Sequence, residues 1–319
     1  MNFINNISKS GDIWGAPDGA LSLVLAKAAH PQAPIIFVAR DDARLASVEV
    51  GLKCINPKLD MWVLPAWDCL PFDRLSPQGA LVGRRIETLA RICAGEAPSI
   101  LLTTINAIVQ KLPPADYLTD NSLVVSPASA HSPASLAEFL SNHSYLRTDT
   151  VRETGEFAIR GGIVDVFPPG HSDPVRLDFF GDEIETMRVF DAASQLSTGR
   201  LDRLVLRPVA EFMLTETSIS RFRTGYLQAF GGSASRDALY ESVSAGRMHP
   251  GIEHWLPLFH DRLATLADYC PGWPLFLDYE GDAAYTARQA QIQDFFEARN
   301  QYDKDDETAP YRPLPPDQL

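Results

Sequence analysis

Ile35-Ile36-Phe37-Val38 is an unbroken apolar run, and its reading decides the fold. A strand with one face in water alternates apolar and polar side chains; a strand covered on both faces need not. Upstream, Ala20 to Ala29 places Leu21, Val24, Leu25 and Ala28 at helical spacing. Downstream, Asp41 opens a second helix with Leu45, Val48 and Leu52 on one face. The pattern repeats at Met61-Trp62-Val63-Leu64 and at Ser99-Ile100-Leu101-Leu102. Between these lie a Pro-rich crossing from Pro65 to Pro77 and a helix from Gly83 to Ala94 carrying Ile86, Leu89, Ala90 and Cys93 on one side. A further helix from Asn106 to Leu112 is stopped by Pro113-Pro114, since proline supplies no amide hydrogen. Short apolar strands alternating with helices predict a parallel sheet covered on both faces.

The character changes near residue 120. From Asn121 to Arg207 a period of two dominates, apart from one helix around Ser135 to Asn142. Strands are predicted at Phe157 to Phe167, Val175 to Phe180 and Ile184 to Phe190, joined by turns bearing glycine and aspartate. Helices return after Val209, at Ile219 to Phe230 and Asp237 to Ser244, followed by a buried strand Leu275-Phe276-Leu277 and a helix from Ala284 to Arg299. Tyr302 to Leu319 is acidic, then Pro-rich, and reads as a linker or an extended arm. The expected organisation is an α/β domain over 1–120 and 209–300, interrupted by an inserted α+β domain with an antiparallel sheet over 121–208, with the linker over 301–319. A Pro-rich finish without a closing element is expected of part of a longer protein.

The chain has 319 residues, of which 28 are Lys or Arg and 41 Asp or Glu, for a net charge of −13. That length accommodates two or three units of roughly 100–200 residues. So acidic a molecule is repelled by phosphate backbones, which argues against wholesale nucleic-acid binding and for a protein partner. Cys54, Cys69, Cys93 and Cys270 are far apart, with no C-x-x-C spacing, as expected of reduced thiols in the cytoplasm rather than a zinc site or a disulfide scaffold. No basic, apolar leader precedes the first helix, and no run approaches the ~18 apolar residues of a membrane span, so no membrane association is expected.

Several chemistries fail on their residues. In Trp14-Gly15-Ala16-Pro17-Asp18-Gly19-Ala20-Leu21, laid on a phosphate-loop frame, Gly15 survives while Asp18 and Ala20 replace glycines and Leu21 takes the lysine position. Such a loop needs glycines for its backbone amides to wrap the phosphates and a lysine to neutralise them. Asp278 ends a strand where a nucleotide hydrolase keeps a metal-organising acid, but Tyr279 follows it and displaces the next carboxylate, Glu280, by one position. His249 and His254 lack the spacing of a helical ligand pair, and Asp303 to Glu307 imitates the start of a calcium loop with Thr308 where glycine is needed. No G-x-S-x-G elbow occurs and no cysteine has a basic sequence setting. No catalytic residue and no metal ligand is expected. Arg84, Arg85 and Arg91 read as exposed arginines on a helix, with a nucleic-acid patch as the less favoured account.

The positive evidence lies in the insert. Along Val175-Arg176-Leu177-Asp178-Phe179-Phe180, alternation sends Val175, Leu177 and Phe179 to the core and Arg176, Asp178 and Phe180 to the outside. Phe180 is therefore stranded among charges beside Arg176, as an interface anchor would be; the other account is a half-buried ring covered by the hairpin or by a further domain. In the next strand Glu185, Met187 and Val189 alternate with Ile184, Thr186, Arg188 and Phe190, and Gly161-Gly162 beside Arg160 reads as a bulge.

Arg160-Gly161-Gly162-Ile163-Val164-Asp165-Val166-Phe167-Pro168 and Arg176-Leu177-Asp178-Phe179-Phe180-Gly181-Asp182-Glu183-Ile184-Glu185 resemble the second domain of the excision-repair helicase UvrB, and equally the UvrB-homologous region of the transcription-repair coupling factor family. Pro250-Gly251-Ile252-Glu253-His254-Trp255 and Asp268-Tyr269-Cys270-Pro271 are similar to later stations of the same module, and Leu64 to Asp73 with Ser76-Pro77 to the coupling factors in particular. The resemblance covers nearly the whole chain. Leu21 and the short run from Trp67 to Gly83, which has no room for UvrB's DNA-locking hairpin, favour the coupling factors.

This resemblance implies a degenerate, helicase-like (RecA-type) domain split by an insert that binds UvrA in transcription-coupled nucleotide excision repair. It implies Arg160, Arg176 and Phe180 as the main contacts, with Asp178 and Arg188 weaker. It further implies that the insert's face is masked by a C-terminal domain of the full-length protein. ATP, magnesium, DNA translocation and RNA polymerase contact would all belong to regions beyond residue 319. Two other readings are a nucleotide-dependent DNA-processing subunit like UvrB and a purely intramolecular, autoinhibitory clamp.

Overall fold

The computed structural model describes residues 17–305 and 311–318. The first segment contains α1 (Asp18–Ala28), β1 (Ile35–Ala39), α2 (Asp42–Ile55), β2 (Met61–Leu64), α3 (Gly79–Cys93), β3 (Ile100–Thr104), α4 (Ile105–Ile108) and α5 (Ala115–Asp120). The insert contains β4 (Leu123–Val125), α6 (Pro133–Asn142), β5 (Leu146–Arg147), β6 (Glu156–Arg160), β7 (Ile163–Val166), β8 (Val175–Phe180), β9 (Glu183–Phe190), β10 (Ser197–Arg200) and β11 (Leu204–Leu206). The chain then returns through α7 (Glu216–Phe230), α8 (Ala238–Ser244), α9 (Leu266–Tyr269), β12 (Leu275–Leu277) and α10 (Gly281–Asp305).

The first sheet is parallel, in the order β12-β1-β3-β2. Every residue of β1 is buried because the sheet is covered on both faces. Ile35, Phe37 and Ala39 join Leu25, Leu45, Val48 and Leu52 of α1 and α2 on one side. Ile36 and Val38 join Val82, Ile86 and Leu89 of α3 on the other. Asp41 caps α2 by accepting the Arg44 amide at 2.7 Å.

Several boundaries differ from expectation. α3 starts at Gly79, and Gly83 lies within it where Pro169 of the insert approaches; a Cβ there would come within 3.1 Å of the proline Cβ. The helix expected over Asn106 to Leu112 is only Ile105–Ile108, because Leu112 exchanges backbone hydrogen bonds with Ala264 instead. The strand expected to be buried, β12, is an edge among the described residues, with Leu275 and Leu277 exposed.

In the insert, six strands run β10-β9-β8-β7-β6-β5, antiparallel except where β5 meets β6, and β4 pairs with β11 in a separate ribbon. Gly161-Gly162 is a turn rather than a bulge: Arg160 pairs with Ile163 across it, and Gly161 supplies φ +61°. The bulge is on β9. Asp178 faces Thr186 while Phe179 faces Ile184, so Glu185 is skipped. That extra residue breaks the expected alternation and lets Ile184 and Met187 enter the same core, beside Val164, Val175 and Leu177.

A further core joins Phe72, Phe212, Phe222, Tyr226, Trp255 and Phe259. Described residues of the end expected as a linker or extended arm contribute to it. α10 runs on to Asp305, Tyr311 and Leu314 are buried in this core, and Trp255 Nε1 donates to Arg312 O at 3.0 Å.

Candidate protein-docking site

The outward side chains of the insert sheet form rows fixed by register. Across β7, β8, β9 and β10, one row reads Asp165, Arg176, Arg188, Arg200, three consecutive cations on a chain of net charge −13. Like charges on adjacent strands repel, so the row needs anions. Asp165 provides one from a side chain only 1% exposed. Its Oδ1 accepts Arg176 Nε at 2.7 Å, while its Oδ2 accepts Arg176 Nη2 at 2.9 Å and Arg160 Nη2 at 2.8 Å. The hydrogen bond to Asp165 raises the Arg176 pKa and keeps that guanidinium charged.

Asp178 provides the second anion. Its Oδ2 accepts Arg188 Nη2 at 2.8 Å and Nε at 3.2 Å, and the Thr186 hydroxyl at 2.8 Å. Both acids are therefore spent on arginines of their own sheet. Arg160 remains 51% and Arg188 41% exposed, while Arg176 is mostly covered.

Phe180 ends β8 with 80% of its surface exposed, the most exposed of the large apolar side chains among the described residues. It is not, however, the ring beside Arg176. That ring is Phe190, whose centroid lies 4.7 Å from the Arg176 Cζ and which is buried with Val151, Ala158 and Phe167. The outer face thus has two halves. One is closed by this small cluster, and the other carries Arg160, Asp178, Arg188 and Phe180. Alternation along β8 put Phe180 outside, but the sequence reading missed Asp165. Its signal was an acid between Val164 and Val166, and only the cross-strand register turns that acid toward Arg176.

Elsewhere the candidates do not assemble. Gly15 lies outside the described residues, Asp18 opens α1, and Leu21 packs against the core beneath α1 and α2. Asp278 is buried at the end of β12, where Arg44 Nε contacts its Oδ2 at 3.1 Å and its Oδ1 at 3.3 Å. A cation thus already occupies the carboxylate that a metal would use. No cluster of three metal-binding side chains occurs among the described residues. Burial pushes the Cys69 and Cys270 thiols up to about 12, away from thiolate chemistry. The arginines of α3 make no continuous basic patch: Arg85 is fully buried, and Arg91 lies over the Trp62 ring at 3.8 Å beside Glu96. No helix among the described residues is long and apolar enough to cross a membrane.

Comparison with known proteins adds the following. Residues 124–212, which include this whole face, match the family described as UvrB interaction domain. Over 93% of its length the chain is 32% identical to the transcription-repair-coupling factor of Haemophilus influenzae, and over 97% it is 30% identical to that of Escherichia coli. It is also 32% identical over 82% of its length to the transcription-repair-coupling factor of Rickettsia bellii. These matches cover 25%, 26% and 23% of the relatives, so the chain spans about a quarter of their length.

Proposed function

We propose that this chain, which carries the N-terminal UvrB-homology region of the transcription-repair-coupling factor family, is an adaptor that docks UvrA and performs no chemistry itself. One observation carries the reading: on the matched domain, Phe180 projects almost fully into solvent from the end of β8, on the sheet face where Asp165 holds Arg160 and Asp178 holds Arg188. An exposed ring costs solubility and contributes nothing to folding, whereas at an interface it fills an apolar pocket. Arg160 and Arg188 retain exposed side-chain surface for carboxylates on the partner, with Arg176 and Asp178 bracing them. An acidic partner would meet cations here although the molecule as a whole is acidic.

The parallel-sheet domain is, in this reading, a degenerate helicase-like shell that takes neither ATP nor magnesium. The residues do not fit those groups. Leu21 packs inward, and the carboxylate of Asp278 is bound by Arg44. We assign DNA translocation with its nucleotide, RNA polymerase contact and any masking C-terminal domain to parts of the full-length protein outside these residues. The role of the insert is then to bring UvrA to stalled transcription, in the cytoplasm. Size-exclusion chromatography of the chain with UvrA tests this directly. A co-eluting complex at micromolar concentration is expected, and separate elution at tens of micromolar overturns the reading.

A further inference from the structure

We infer that Asp165 is a positioning residue of the docking face, acting on the partner through Arg160; this rests on the adaptor reading above. Asp165 is out of contact with solvent and cannot itself meet a partner. Yet three guanidinium hydrogen bonds converge on its two oxygens, from strands on either side of β7. Arg176 gives it both Nε and Nη2, the side-on fork that an arginine would otherwise offer to a partner's carboxylate. The Phe190 ring lies against Arg176 as well, and leaves its side chain only 18% exposed. Arg176 is therefore committed to the sheet. Arg160 gives a single Nη2 hydrogen and leaves half its side chain in water.

The division of labour follows from these contacts. Asp165 and Arg176 form a rigid pair, and the Oδ2 that Arg176 has already oriented fixes where the Arg160 guanidinium sits. Arginine loses substantial rotamer freedom on binding, and holding its head group beforehand removes part of that cost. The intervening turn at Gly161-Gly162 would otherwise leave Arg160, the last residue of its strand, free to sample other rotamers.

A double-mutant cycle on UvrA binding separates this role from mere structural support. Arg160→Ala is expected to weaken binding about thirtyfold and Asp165→Asn about tenfold. Once Arg160 is gone, Asp165→Asn should weaken binding by less than twofold more. Multiplication of the two losses to about three-hundredfold would overturn the inference, as would wild-type affinity in Asp165→Asn. Arginine side-chain NMR on the unmodified chain supplies an arm independent of UvrA and of any variant's folding. Hindered guanidinium rotation is expected at Arg176, with a restrained Nε–H at Arg160; free rotation at both overturns the inference. If UvrA does not bind the unmodified chain, the adaptor reading falls while the NMR arm still decides whether Asp165 holds the arginines.

Discussion

Arg85 and Glu211 meet in the interior with Nε and Oε1 2.5 Å apart and neither side chain in water, although 126 residues separate them. Arg85 belongs to α3, and Glu211 lies just past the insert, so the pair ties the first segment to the chain returning from the insert. Arg85 Nη1 also donates to Pro65 O at 2.7 Å and Gln110 Oε1 at 3.1 Å. Such a pair contributes modestly as a whole, but deleting one member leaves the other charged and dry. Arg85→Met is expected to cost about 3–5 kcal/mol in urea unfolding. A loss under about 1 kcal/mol would show that water reaches Glu211.

Arg176 and Phe180 should separate folding from docking. Arg176→Ala removes two of the three hydrogen bonds to buried Asp165 and uncovers Phe190, so it is expected to cost about 2 kcal/mol of stability. The sequence reading, which set both side chains in solvent, predicts almost no cost for either. Phe180→Ala should stay within about 0.5 kcal/mol of the unmodified chain. Equal unfolding midpoints for the two variants would contradict the structural assignment of Arg176.

His254 gives the fold an acid-sensitive component. Burial lowers its pKa from 6.5 to about 4, with Trp67 and Phe72 rings around it and Cys69 Sγ 4.0 Å away. The unfolded chain takes up this proton near 6.5 and the folded chain only near 4, so the unfolded state binds more protons in between. Stability therefore falls as pH drops through that window, by about 3 kcal/mol from this group. The half-buried Glu87 and Glu253, whose pKa values are raised by desolvation, act in the opposite sense, so the measurement is a difference. The stability gap between the unmodified chain and His254→Gln should shrink by about that amount from pH 7 to pH 4. A gap independent of pH contradicts it.

The legible parts of this molecule are those set by local pattern. The run Ile35 to Val38 announced a strand buried on both faces, Asp41 a capped helix, and Val175 to Asp178 a two-sided strand. What local pattern cannot carry is partnership across the chain. The bulge at Glu185 exists only in the register between β8 and β9, and the burial of Arg85 depends on an acid in a distant segment. Leu275-Phe276-Leu277 reads as a core strand because it is apolar, yet its position in the sheet order leaves two of its side chains exposed. For the docking face, parity gave Phe180, but Asp165 acquires meaning only once Arg176 is seen opposite it.

Asp278 distinguishes a structural acid from a metal ligand. Its partner is Arg44, so Asp278→Asn is expected to lower stability by about 1–2 kcal/mol. Calorimetric titration with magnesium-ATP should be flat for both the unmodified chain and the variant. Micromolar binding that Asp278→Asn abolishes would instead restore a working nucleotide site.

The most direct test is a titration of UvrA against the chain and its Phe180→Ala variant, with unfolding midpoints recorded on the same samples. The account predicts affinity about thirtyfold weaker for the variant, with unchanged stability. Equal affinity for the two would contradict it.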